Sequence, residues 1–235
     1  MSKFKRNENG LISTARQLRL SHWFKTKTST VEFKNFTQYS EQLKLNKFLF
    51  FYELTSKIEG DEYDFTGLMG FKQGPVYGNV YSDIAHNLAK FNQAIEFNVD
   101  GNIVVNEGIA NFCKFLVDVL TTDELSKFTH DFDIWKAQKE AIQTTSHLKL
   151  DEDHISDADI ETIKYLREVY TEDYIESVRI IKFYKRNFVI SKVDYSKWIK
   201  NYKHLYHQLD SLSWNPDLVS PVYIQITDEG ELLHE

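Results

Sequence analysis

The chain has 235 residues, 42% of them hydrophobic and 14% aromatic, with only 3 prolines and 9 glycines; this composition excludes general disorder and favours a single helix-dominated core. The lone cysteine, Cys113, excludes an intramolecular disulfide, and with a net charge of −7 it fits a reducing, cytoplasmic setting. There is no apolar signal-like start and no run of roughly 18 apolar residues, so neither export nor a membrane partner is expected.

Divided along the chain, the charge is uneven. Residues 1–42 carry eight basic side chains against Glu8, Glu32 and Glu41, a balance of +5, which leaves −12 for the rest. A basic leader on an acidic body fits nucleic-acid contact by the leader, an acidic surface made for a basic partner, or plain solvation. Residues 1–40 form a basic N-terminal extension without sustained periodicity, so residues 1–30 are expected to be poorly ordered. Within it Trp23, Phe24, Phe33 and Phe36 interleave with Lys25, Lys27 and Lys34, a pattern suited to stacking and backbone contact with operator DNA.

Residues 41–57, EQLKLNKFLFFYELTSK, are apolar on most faces and predict a central helix. The glycines and acids of IEGDEYDFTGLMGF then break the period and read as a connection with a short extended piece. In FKQGPVYGNVYSDI, Pro75 suits the first turn of a helix, and Val76, Val80, Ile84 and Leu88 recur every four residues as a buried stripe. Gly74 and Pro75 therefore set a turn and helix start, with Lys72, Gln73, Tyr77 and Tyr81 nearer the surface. A phosphate loop would need clustered glycines and a Lys-Ser or Lys-Thr step, which this stretch lacks.

Asp100-Gly101 inside IEFNVDGNIVV is a hairpin signal. Ile109, Phe112, Cys113, Leu116, Val117 and Leu120 follow one helix face, which places Cys113 in the core rather than at a reactive site. Thr121 and Glu124 form a capping box, and Ser156 with Asp159 forms a second cap. From that cap a helix is expected over residues 156–188, broken near Thr171. Tyr195, Trp198, Ile199, Tyr202, Leu205, Tyr206 and Leu209 predict a further helix, and VYIQI predicts a strand after Pro216 and Pro221.

No chemistry-bearing motif stands out. Asp151, Asp153 and Asp157 fail as a calcium loop, because Ile155, Ser156 and Thr162 stand where a ligand, the turn glycine and the closing Glu belong. His204 with His207, and His130 with Asp131 and Asp133, lack zinc-type spacing. There is no nucleophile elbow. No catalytic, metal or cofactor residue is assigned.

Four segments in order, LKLNKFLFFYEL, FKQGPVYGNVY, VDVLTTDELSKFTHDFDIWK and HISDADI, together resemble the Panacea domain, the SocA-like antitoxin domain of phage-associated proteins. The residues that carry the likeness are Asn46 to Phe50, Gly74-Pro75-Val76 with Tyr81, and Leu125 to His130 with Trp135. The resemblance covers roughly residues 40–165. It implies a mainly α, compact helical domain over 41–165, read here with a short β-hairpin; the basic leader and the C-terminal residues are not implied by it, and 166–235 are expected from their own periodicity to form a helical extension packed on the core. It also implies a non-catalytic, cofactor-free antitoxin that neutralises a cognate protein toxin encoded beside it, such as a small alarmone-synthetase-like enzyme. The alternatives are a DNA-binding regulator of its own operon and a proteolytic adaptor for the toxin. Lys72, Gln73, Tyr77, Tyr81 and Trp135 are the candidate partner-binding residues, with Gly74, Pro75 and Val76 as the structural motif.

Overall fold

The computed structural model describes residues 10–28, 34–97, 101–145, 147–183 and 185–234. Phe33 of the expected stacking set and Asp100 of the expected hairpin lie outside the described residues.

The described part of the leader, residues 10–28, is folded rather than loose. Helix α1 (Ala15–Lys27) starts at a capping box made by Thr14 and Gln17 and buries Leu18, Leu20, Trp23 and Phe24. Polar residues outnumber apolar ones along it, and its inward face includes the buried Gln17 and Ser21 beside the apolar side chains, which hid its period. The carboxylate of Asp83 holds its entry by accepting from Ile12 N (3.0 Å), Ser13 N (2.8 Å) and Ser13 Oγ (2.6 Å).

Helix α2 (Tyr39–Glu59) is the predicted central helix, and every residue from Leu45 to Ser56 is buried. It ends at Gly60, whose φ of 77° is the left-handed cap that glycine supplies without strain. The connection then forms a true hairpin, β1 (Leu68–Phe71) against β2 (Gly74–Tyr77), with Leu68 opposite Tyr77 and Phe71 opposite Gly74. The Gly-Pro-Val-Tyr stretch is thus a strand and not a helix start; helix α3 (Gly78–Phe97) begins immediately after it and kinks at Asn87. Pro75 is tolerated because β2 lies at the edge of its sheet, where a missing N–H breaks no ladder bond. The expected stripe survives across the junction: Val76, Val80 and Ile84 are buried.

The hairpin expected around Asp100-Gly101 is absent from its described flanks. Ile95 to Phe97 finish α3, and Asn106 caps helix α4 (Glu107–Val119) by accepting from Ile109 N (3.3 Å). The core face of α4 is as read from the spacing, with Cys113 fully buried. Helix α5 (Thr122–His130) carries the predicted Thr121–Glu124 box, and the short α6 (Asp133–Lys136) and α7 (Lys139–Thr145) follow. Strand β3 (Leu148–Lys149) adds to β1 and completes the three-stranded sheet β2-β1-β3.

Helix α8 (Asp157–Val169) starts at Ser156 as expected, and the break at Thr171 is real, since Thr171 caps the separate α9 (Glu172–Ser177). The remainder of the expected 156–188 helix is instead β4 (Val178–Lys182) and the start of β5 (Asn187–Ser191). The C-terminal region is therefore not an all-helical extension. Helices α10 (Lys192–Lys200) and α11 (Tyr202–Ser213) bridge β5 to a parallel partner, β6 (Val222–Ile226), and β7 (Leu232–His234) closes the sheet β4-β5-β6-β7. Period-2 alternation explains its place: Val189 joins the main core, whereas Phe188 and Ile190 join a second cluster with Val222, Ile224, Leu205 and Leu209. The sheet is sandwiched between the main core and α10–α11. Among the described residues the architecture is mainly α, with eleven α-helices and two small sheets, and no helix is long and apolar enough to cross a membrane.

Candidate functional site

The segments that carry the family resemblance meet at the tip of the β1–β2 hairpin. Gly74 sits there with φ of 96°, and a Cβ built on it would collide with Thr129 Oγ1 and Lys47 Nζ. Lys47, buried in the middle of α2, reaches under the turn and donates to the carbonyls of Gln73 and Pro75, the latter at 3.1 Å. One turn position earlier, Asn46 Oδ1 accepts from Tyr77 N (3.0 Å). From the other side Ser126 Oγ donates to the Gln73 carbonyl (3.2 Å), and Trp135 Nε1 donates to Phe71 O (2.9 Å). His130 stacks on Trp135 with ring centroids 4.0 Å apart and bonds the Lys72 backbone.

The electrostatics follow from burial. Lys47 has no carboxylate against its ammonium, so desolvation pushes its pKa well below the ordinary lysine value. Burial also lowers His130, with Lys47 adding to the effect, and His130 Nε2 is buried without a hydrogen-bond partner. The acidic HISDADI segment completes the support: Asp159 accepts from Asp133 N (2.8 Å) and Ile134 N (3.2 Å), fixing the start of α6. This is a helix cap and not a calcium loop.

The residues singled out from the sequence divide into two groups. Tyr77 is fully buried, with its hydroxyl on Asp64 O (3.0 Å), and Trp135 is 4% exposed; both hold the hairpin and neither forms a surface. Val76 and Pro75 are buried with them. Lys72, Gln73 and Tyr81 are exposed. Tyr81 packs edge-on against Phe71 (5.2 Å), and His147 covers the other side of the same ring (4.3 Å). Tyr39, which sequence reasoning passed over at the start of α2, is 60% exposed, and its pKa is raised by partial burial and by neighbouring Asp123 and Tyr81. The outcome is a braced turn presenting Lys72 and Gln73, with Tyr81 exposed against Phe71 and Tyr39 within electrostatic reach of Tyr81.

The leader offers less than its sequence suggested. Trp23, Phe24 and Phe36 are buried and give no stacking platform. Arg16 bonds Glu53 (2.8 Å), Lys25 bonds Glu96, Lys27 pairs with Glu107 (3.4 Å) and Arg19 donates to Ile103 O (3.3 Å). The remaining polar sets stay apart. No group of three His, Cys, Asp or Glu positioned for a metal occurs among the described residues. His204 bonds Gln208 (3.3 Å), and burial pushes the Cys113 thiol far up, which keeps it protonated and unreactive. Comparison of the chain with protein-family models, with curated proteins and with solved structures finds no match.

Proposed function

We propose that this chain is a cytoplasmic antitoxin that neutralises a cognate protein toxin by direct contact, and that the hairpin tip with its tyrosine flank is the gripping surface. One observation carries the reading: the separate segments that resemble the Panacea domain converge on a single turn, through Asn46, Lys47, Gly74, Thr129 and Trp135. A buried amine spent on two turn carbonyls is costly unless the shape of that turn matters. What it shapes is the exposed pair Lys72 and Gln73, next to Tyr81 and Tyr39. Preorganised turns with tyrosine neighbours bind proteins at small entropic cost.

The test is co-expression with the product of the adjacent open reading frame, scored for rescue of growth and for co-purification. Wild type is expected to rescue and to form a stable complex. The double substitution Lys72→Glu, Tyr81→Ala is expected to lose both while melting normally, since both side chains are exposed. No rescue by wild type sinks the antitoxin reading; full rescue by the double variant sinks only the surface assigned to it. Falling toxin abundance without a stable complex would favour the proteolytic adaptor.

A further inference from the structure

The charge of the body is itself divided, in a way the +5 and −12 balance conceals. Residues 178–214 carry eight basic side chains against only Asp194 and Asp210, a balance of +6, whereas residues 215–235 carry five acids and no Lys or Arg. Six of those eight cations are exposed: Arg179, Lys182, Lys185, Lys192, Lys200 and Lys203. The other two serve the fold. Arg186 is buried against Ser220 Oγ (3.0 Å) and Asn215 O (3.1 Å), and Lys197 bonds Ile226 O (2.8 Å) and Asp228 (3.0 Å).

Aromatic rings run through the same face. Trp198, Tyr202, Tyr206 and Phe183 form a ladder with successive centroids 5.1, 5.5 and 5.1 Å apart. Its middle rungs face solvent, Tyr202 at 50% and Tyr206 at 38% exposure. The ladder walls a groove of about 330 Å³ between β4 and α10–α11, with one cation, Lys182, and one acid, Asp210, among the lining residues. Past Tyr195 and Lys182 the groove continues into a cleft of about 520 Å³ lined by Lys27, Lys114 and Arg179. Asp118 is the acid in that cleft; burial favours its neutral form, but Lys114, Lys44 and Lys182 hold its carboxyl low and ionised. Lys203 is three residues from Tyr206 on the same helix and so adjacent to it on the helix surface.

Cations at the rim of a groove whose wall carries two exposed tyrosines match a polymer with alternating phosphates and flat bases. Open ring faces need unstacked bases, which a duplex does not offer. We propose that the face built by β4, α10 and α11 binds single-stranded nucleic acid, with Arg179, Lys182 and Lys203 on phosphates and Tyr202 and Tyr206 stacking bases. This does not depend on the antitoxin reading, and it places nucleic-acid contact at the opposite end of the sequence from the basic leader.

The experiment is fluorescence anisotropy of the full chain with labelled oligo(dT) and oligo(rU) of about 15 nucleotides, a length matched to known single-strand sites. Saturable binding is expected, weakening roughly 20-fold between about 50 and 200 mM salt if three phosphates are neutralised. Tyr202→Ala with Tyr206→Ala is expected to lower affinity at least about 10-fold with an unchanged melting curve, the effect of losing a stacked base. Should that variant melt early, Arg179→Gln with Lys203→Gln decides the matter, by reducing the log–log salt slope by about 1.4. Absence of binding at the lower salt, an unchanged affinity in well-folded tyrosine variants or an unchanged salt slope overturns the proposal. So does tighter binding of a duplex of the same length, or equal displacement by polyglutamate, which would mark the face as a duplex or acidic-peptide site.

Discussion

At Gly74 a side chain is excluded twice, by a φ of 96° and by the two groups that occupy the space a Cβ would need. Gly74→Val is therefore expected to cost roughly 2–5 kcal/mol, combining backbone strain with forced displacement of Thr129 and Lys47. A urea titration measures it; a variant of normal midpoint that had lost its partner would overturn the structural role. Glu53 gives a pH-dependent counterpart. It accepts from Arg16 Nε at 2.8 Å, which alone would keep it ionised, yet its pKa is pushed up to about 7. Burial is the larger influence: Glu53 is 1% exposed, and it outweighs both Arg16 and the Asp64 amide. With the folded value above the ordinary 4.5, the folded protein retains a proton that the unfolded chain releases. That stability is complete below about pH 4.5 and is lost as the pH rises through about 7. Denaturant titrations at about pH 5 and 8 should show wild type losing up to about 3 kcal/mol more than Glu53→Gln across that interval. Equal slopes would show that Glu53 is ionised throughout.

At the scale of elements, α1 tests how far the first 27 residues belong to the core. Its entry is held by one carboxylate in addition to the Thr14–Gln17 box, so Asp83→Ala would remove the acceptor shared by Ile12 N, Ser13 N and Ser13 Oγ and cost about 3 kcal/mol. Hydrogen exchange should rise first in α1 and its neighbour α3, with α4 affected least; uniform loss of protection would mean that α1 has no independent opening. The sequence made some elements plain and hid others for identifiable reasons. Helices α2 and α4 were legible because burial on most faces, or along one face, leaves a dense apolar period. The caps at Thr121 and Ser156 were legible because their donors and acceptors are local. Strand β2 was misread because Gly-Pro followed by Val at four-residue spacing is what a helix start also looks like, and only the long-range clamp from Lys47 separates the two. The described flanks of the Asp100-Gly101 signal alternate in sequence, yet they end helix α3 on one side and lead to helix α4 on the other. The exposed tip residues Lys72, Gln73 and Tyr81 were foreseeable around a turn, whereas Tyr39 comes beside Tyr81 only through tertiary packing.

Across the whole molecule, charge and packing follow the same partition. The main core runs from Leu11 to Val189, and a smaller cluster lies between the four-stranded sheet and α10–α11. Tyr223 of β6 packs against the main core and bonds Tyr170 there through hydroxyls 2.9 Å apart, tying the four-stranded sheet to that core, and Ser220 Oγ, close to Tyr223 in sequence, donates to Glu124. The hairpin tip belongs to the first region, whereas the groove runs from the second onto Lys27 and Lys114 of the first, so a protein partner at the tip and a nucleic acid in the groove would use different residues. The parallel pairing of β5 with β6 has a consequence for synthesis. Phe188 to Ile190 meet Val222 to Ile224 only after the two intervening helices have been made. Until β6 has been made, β5 keeps one open edge, although α10 and α11 can already cover Phe188 and Ile190. The nascent protein can therefore complete its hairpin tip before it can close its second sheet, and a stall between α10 and β6 leaves that one edge of β5 unpaired.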